Sequence, residues 1–217
     1  MKRGPVVSRI ARYSIFVFVI VVSMGYTTVR AQNIFLNKKQ FGILALGGYG
    51  ASNKYGGSVM GFGVSFNGFT DIGMSFSKLS HKGIDAIIFG IAPDFLLKKQ
   101  SFDSPVNVEL SPGFTHTYYR SHYYGISSGS SIISFGMAVS HSLESDPGVH
   151  MIPQLHLRYG ITLTNISGDV NLFTTGLDWN VAIDLSDHVV LVFDPGITVA
   201  INENSTAGSI AGGFLIN

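Results

Sequence analysis

The chain has 217 residues, 46% of them hydrophobic and only 12% charged, and it contains no cysteine. The missing cysteines exclude a disulfide framework and a thiolate metal site. The charged share is about half of the usual ~25%, yet no run after residue 31 reaches the ~20 apolar residues that a membrane-crossing helix needs.

The first element in the chain reads as an export signal. Lys2, Arg3, Arg9 and Arg12 precede an unbroken apolar stretch at 15–22, and Val29-Arg30-Ala31 then puts modest or small residues at the −3 and −1 positions before Gln32. This predicts a signal peptide over 1–31, cleaved after Ala31, and one mature domain over 32–217. The signal holds five of the 14 Lys and Arg (Lys2, Arg3, Arg9, Arg12, Arg30) and none of the 13 Asp and Glu, so nine cations face thirteen carboxylates once it is gone. The mature charge is then −4 instead of the whole chain's +1. The basic character belongs to the signal and gives no reason to expect a nucleic-acid partner.

After the signal, large apolar residues alternate with small or polar ones. In a strand, positions i and i+2 share a face, so each such segment has one greasy and one small or polar face. Ten segments qualify. The first spans 40–50 and the second 58–67, where Met60, Phe62, Val64 and Phe66 alternate with Gly61, Gly63 and Ser65. The third, 71–79, sets Ile72, Met74 and Phe76 against Gly73, Ser75 and Ser77. In the fourth (84–97), fifth (105–118) and sixth (131–143), Asp94 and Glu109 fall on the small polar face.

The seventh, 149–163, opposes Leu155, Leu157 and Tyr159 to Gln154, His156 and Arg158. The eighth, 170–185, puts Asp178, Asn180 and Asp184 opposite Leu177, Trp179 and Val181; the ninth, 188–201, carries Asp194 on its polar face. The tenth, 206–216, alternates Ile210, Phe214 and Ile216 with smaller residues, except that Leu215 breaks the pattern. Pro153 and Pro195 lie inside these segments and are read as marks of bulges.

Antiparallel pairing keeps the greasy faces together. Phe66 with Ile72, Val64 with Met74 and Phe62 with Phe76 make one matched hairpin; Ile183 with Leu191, Val181 with Phe193 and Leu177 with Ile197 make another. The fold predicted is all-β: a closed antiparallel up-and-down transmembrane barrel of ten strands, or eight if two weaker segments are not strands. An even number puts both termini on one side. In the outer-membrane barrels that this pattern resembles, that side is the periplasm, so the connections at 67–71, 98–104, 144–148 and 186–188 are expected there, and those at 51–57, 80–83, 119–130, 164–169 and 202–205 are expected to face outward.

With Gly61-Phe62-Gly63-Val64-Ser65-Phe66 and Asp71-Ile72-Gly73-Met74-Ser75-Phe76 as its clearest pieces, the chain resembles the small outer-membrane β-barrel proteins of Gram-negative bacteria over 40–217. The resemblance implies an outer-membrane location, outer-membrane lipid and the barrel assembly machinery as partners, a monomeric barrel and no cofactor. Many such barrels end on an aromatic residue that the assembly machinery reads; here Phe214 stands three residues before the end.

The candidate functional residues fall in two groups. Asp94, Glu109, His156, Arg158, Asp178, Asn180, Asp184 and Asp194 form an expected lumen cluster, with His156 set opposite Asp178. Buried charges of this kind satisfy one another and plug a narrow barrel, or line an ion path if water runs through it. Tyr119, Arg120, His122, Tyr123 and Tyr124 are expected in the longest extracellular loop. No catalytic or metal-binding residue is assigned.

The leading reading is a non-enzymatic barrel with a narrow or plugged polar lumen, serving envelope structure, surface interaction or limited passage of small solutes. Two alternatives stand beside it. One is a soluble exported barrel with its apolar faces inward, binding a small apolar ligand. The other is a lipid-modifying enzyme using His116 as a base near the outer rim.

Overall fold

The computed structural model describes residues 41–52, 55–66, 68–122, 127–146, 148–163, 171–201 and 205–217. The segment expected to be a signal peptide, Tyr123 and Tyr124 lie outside these residues. The strands are β1 (Phe41–Ser52), β2 (Gly56–Phe66), β3 (Thr70–His81), β4 (Ile84–Lys98), β5 (Asn107–Ser121), β6 (Ser127–Ser140), β7 (Leu143–Asp146), β8 (Val149–Thr162), β9 (Asn171–Ser186), β10 (Val189–Ala200) and β11 (Ser205–Ile216). All are antiparallel to their neighbours. β1 pairs with β11 from Ile43–Ile216 to Ser52–Ala207, and β6 pairs with β8 from Ile132–Thr162 to Ser140–Gln154, which closes ten strands into a barrel. Short β7, where a turn is expected from sequence, hangs on the start of β8.

The alternation sorts the side chains as the sequence predicts. Met60, Phe62, Met74, Phe76, Phe135 and Leu157 project outward and are exposed, while Gly61, Gly63, Ser75, Ser77, Ser134 and His156 are buried inside. An apolar wall of this kind is a surface for lipid, because a closed barrel leaves no unpaired strand edge in hydrocarbon. The soluble alternative needs the opposite faces inward and fails here: Phe62 is 55% exposed and Asp94 1%.

Registers match in one predicted hairpin and slip in the other. Leu191–Ile183, Phe193–Val181 and Ile197–Leu177 pair as expected. In β2–β3 the pairs are Val64–Ile72, Phe62–Met74 and Met60–Phe76, two residues from the expected register, because the chain turns more tightly, with Gly68 at φ +64°. A slip of two leaves both faces intact.

The prolines do not shift register. Pairing between β9 and β10 lapses at Asp194 and Pro195 and resumes at Gly196–Asp178, as expected for a residue with no N–H to give. Pro153 lies just beyond the last β6–β8 pair, Ser140–Gln154. The register shifts fall elsewhere, at Val189/Val190, Leu96/Lys98 and Glu144/Asp146.

Candidate functional site

The lumen is layered. On β9, read from the end with the β8–β9 connection, the inward residues run Leu172, Thr174, Gly176, Asp178, Asn180, Ala182. On β10, read the opposite way, they run Val190, Val192, Asp194, Gly196, Thr198, Ala200. Both pass from apolar through polar to apolar. The barrel thus has an apolar cap at each end of a polar middle.

The cap at the loop end, where β3 turns into β4, packs Leu79, Ile88, Ile132 and Leu172 with Tyr55 and Tyr119. The cap at the other end, where β1 begins and β11 ends, packs Leu44, Leu46, Val190, Val192 and Leu215 with Ala182 and Ala211. Leu215 therefore keeps the alternation that it breaks in polarity: it faces inward between Leu44 and Val190, and is 1% exposed.

Between the caps lie five buried carboxylates, Asp71, Asp94, Glu109, Asp178 and Asp194. Asp71 and Asp94 are direct cross-strand partners. The Gln154 Nε2 donates to Glu109 Oε2 at 2.9 Å, and His156 Nδ1 meets Asp178 Oδ2 at 2.9 Å. Register sets Gln154, not His156, opposite Asp178, so the His–Asp bond runs on the diagonal. Arg158 is the only buried Lys or Arg among the described residues.

Glycine makes room for these side chains. A Cβ on Gly136 would lie 3.1 Å from Arg158 Nε, and one on Gly176 would land on the His156 imidazole. The glycine-rich polar faces thus supply space that two large side chains fill.

Seven of the eight expected lumen residues are there: Asp94, Glu109, His156, Arg158, Asp178, Asn180 and Asp194 are buried. Asp184 is not. It lies past Ala182 at the end of the wall, its side chain 44% exposed, with the His150 Nε2 at 3.4 Å. The expected loop also moves. Tyr119 is in β5, inward, 6% exposed and part of the loop-end cap, because β5 stays paired as far as Ser121–Ile84 and Arg120–Ser127. Arg120 is in the same strand and faces outward; His122 follows it, exposed, with Nε2 3.0 Å from Asp85 Oδ2.

Among the lumen residues absent from the sequence-derived cluster, Asp71 and Gln154 stand out. Asp71 shares its parity with Gly73, Ser75 and Ser77, which is signal enough to find it. Gln154 lies on the face that holds His156 and Arg158, and only its bond to Glu109 gives it weight. His116 faces outward near the loop end, with Nδ1 2.8 Å from Ser131 Oγ.

A closed barrel with an apolar wall and a filled polar interior defines an integral β-barrel membrane protein of the outer-membrane class. No protein-family model and no curated protein matches the sequence. Among solved structures, the translocator domain of the autotransporter NalP from Neisseria meningitidis is similar, at 12% identity over 97% of both chains, with a TM-score of 0.49. The β-domain of the Bordetella autotransporter BrkA is 10% identical over 81% of this chain and 98% of its own, with a TM-score of 0.46. The outer-membrane protease OmpT from Escherichia coli is 6% identical over 81% and 95%, with a TM-score of 0.40. The architecture here stands on the chain's own strand pairing, independent of these likenesses.

Proposed function

We propose that this chain is a closed, non-enzymatic outer-membrane barrel that serves envelope structure or surface interaction and does not conduct solutes. The observation that carries this is the apolar–polar–apolar sequence of inward residues on β9 and β10, continued by both apolar caps. A conducting lumen needs a continuous polar path. Here a hydrated ion would have to pass two layers of Leu, Ile and Val, and the charged side chains between them are buried instead of lining a water column.

The rim histidine supports the non-enzymatic part of this reading. A nucleophile needs a base that is itself held in place. Ser131 is the only hydrogen-bond partner of His116 among the described residues, so nothing orients the imidazole from its other side. On this reading residues 1–31 are the export signal, and the membrane form begins at Gln32.

Single-channel recording of the refolded full chain in a planar lipid bilayer tests the proposal. The expected trace is flat, and Leu79→Ser with Ile132→Ser in one barrel leaves the terminal-end cap intact and the trace still flat. Discrete conductance steps from the unmodified protein would show the lumen to be open.

A further inference from the structure

Among the described residues the loop-end rim is charged on one side only. Its described Lys, Arg, His, Asp and Glu side chains all lie on β3, β4, β5 and the residues that join or directly follow them: Lys78, His81, Lys82, Asp85, Arg120 and His122, with His116 lower on the wall. Around the rest of this rim the described outward residues Leu163, Phe173, Ile201, Thr206, Ala51 and Ser58 carry no charge.

Within the charged sector cations exceed carboxylates, and the one carboxylate is engaged. Asp85 receives the Ser80 Oγ–H at 2.8 Å and lies 3.0 Å from His122 Nε2. Lys78, Lys82 and Arg120 carry the remaining fixed charges, all three exposed. Strand pairing places Lys78 and Arg120 on one outward surface, and Lys82 stands in the turn that joins β3 to β4. Lys78 is level with Ile87 and Tyr118, and Arg120 with Asp85 and Ser80 one step further out. One step below Lys78 on the same surface, Phe76, Phe89 and His116 are in register. The order along the wall is therefore aromatic and aliphatic, then cationic, which is the order of hydrocarbon and headgroup in a leaflet.

One of these cations also stands at a backbone position that a lysine rarely occupies. Lys82 and Gly83 make a two-residue hairpin turn with φ of +41° and +75°. The first position of such a turn suits Asn, Asp or Gly, and a lysine there carries a conformational cost. Residues held in costly conformations cluster where function requires them.

We propose that the β3–β5 sector of the loop-end rim is a binding surface for anionic, phosphate-bearing lipid headgroups of the surrounding leaflet. Lys78, Lys82 and Arg120 take the headgroup, and the Phe76–Phe89 face beneath them takes the acyl chains. Each cation close to an anionic lipid surface contributes a several-fold preference. This goes beyond a closed barrel and depends on the membrane reading only for what surrounds the wall.

The full chain is refolded into mixed phosphatidylcholine–phosphatidylglycerol vesicles, extracted in mild detergent, and its retained lipids are counted by native mass spectrometry. Phosphatidylglycerol should be retained above its share of the vesicle. In a Lys78→Ser, Lys82→Ser, Arg120→Ser variant the enrichment should fall by about an order of magnitude. A Lys98→Ser, Lys99→Ser variant, altered at the opposite end, should keep it. Heat-modifiable migration on a gel shows that each variant is folded. Enrichment that survives the rim variant, or vanishes in the Lys98/Lys99 variant, overturns the proposal. So does retention of added soluble polyphosphate without phosphatidylglycerol. Conductance is a separate readout, so an open lumen would leave this result standing.

Discussion

On the outer wall of this barrel a Phe, a Met and an Ile do the same work, whereas in the lumen His156 has its place only because residue 176 is glycine. The wall meets a fluid that adapts to any apolar shape. The lumen meets only itself, so each side chain there must fit neighbours that are fixed. Selection on the wall therefore acts on polarity alone, and in the lumen on size, charge and hydrogen bonding together. Substitutions that are harmless on one face should be costly on the other.

The largest expected effect is in the lumen. Arg158 is the one buried guanidinium among the described residues, and five carboxylates are buried in the same layer. Removing one partner from a set of buried charges leaves the others uncompensated and costs about 3–5 kcal/mol. Arg158→Met, which keeps most of the length and none of the charge, should lose that much in a urea titration of the barrel in lipid vesicles. Trp179, the single tryptophan of the chain, faces outward and reports the transition. A loss under ~1 kcal/mol would mean that the carboxylates do not rely on Arg158.

On the wall, charge alone should matter. Met74 projects outward between Ile72 and Phe76 and pairs with Phe62 and Ile91, in the middle of the apolar band. Met74→Arg should cost about 2–4 kcal/mol, as cations do at the bilayer midplane. Met74→Leu should cost less than ~1.5 kcal/mol, since volume is conserved. If the two variants unfold alike, this face does not meet lipid.

The same contrast explains what the sequence discloses. Lipid imposes a strict two-residue period, so the ten barrel strands, the outward face and the β9–β10 register are all readable from alternation. The β2–β3 register is not, because a slip of two residues matches greasy faces equally well and only the turn at Gly68 decides it. Above the apolar band the signal fades. His116 and Arg120 face outward while Tyr119 faces inward, so β5 looks like a loop in sequence and continues to Ser121 in the structure. The caps are hidden for a related reason: Leu215 and Leu79 are apolar on the face that alternation marks as polar, and nothing local says which layer of the lumen they fill. Most of the charged middle is legible from parity, and its exception, Asp184, shares that parity but lies beyond the end of the wall.

The smallest effect is the most diagnostic, because the two faces should give opposite signs for one chemical change. Glycine in a strand interior is ordinarily about 0.5–1 kcal/mol worse than alanine. Gly47 lies outward on β1, where an added Cβ meets nothing within 4 Å, so Gly47→Ala should stabilise the barrel by about that amount. At Gly176 the same methyl would land on the His156 ring and come within 2.9 Å of the Ile197 carbonyl oxygen. The ring cannot swing aside freely, because its Nδ1 is held 2.9 Å from Asp178 Oδ2. Gly176→Ala should therefore destabilise by about 1–3 kcal/mol, the usual range for overfilling a packed interior. Combining it with His156→Ala separates the causes. If the ring is the obstacle, most of the penalty disappears in that background; if the penalty stays whole, the Ile197 carbonyl is what excludes a side chain at 176, and the glycine serves the β9–β10 backbone instead of the histidine.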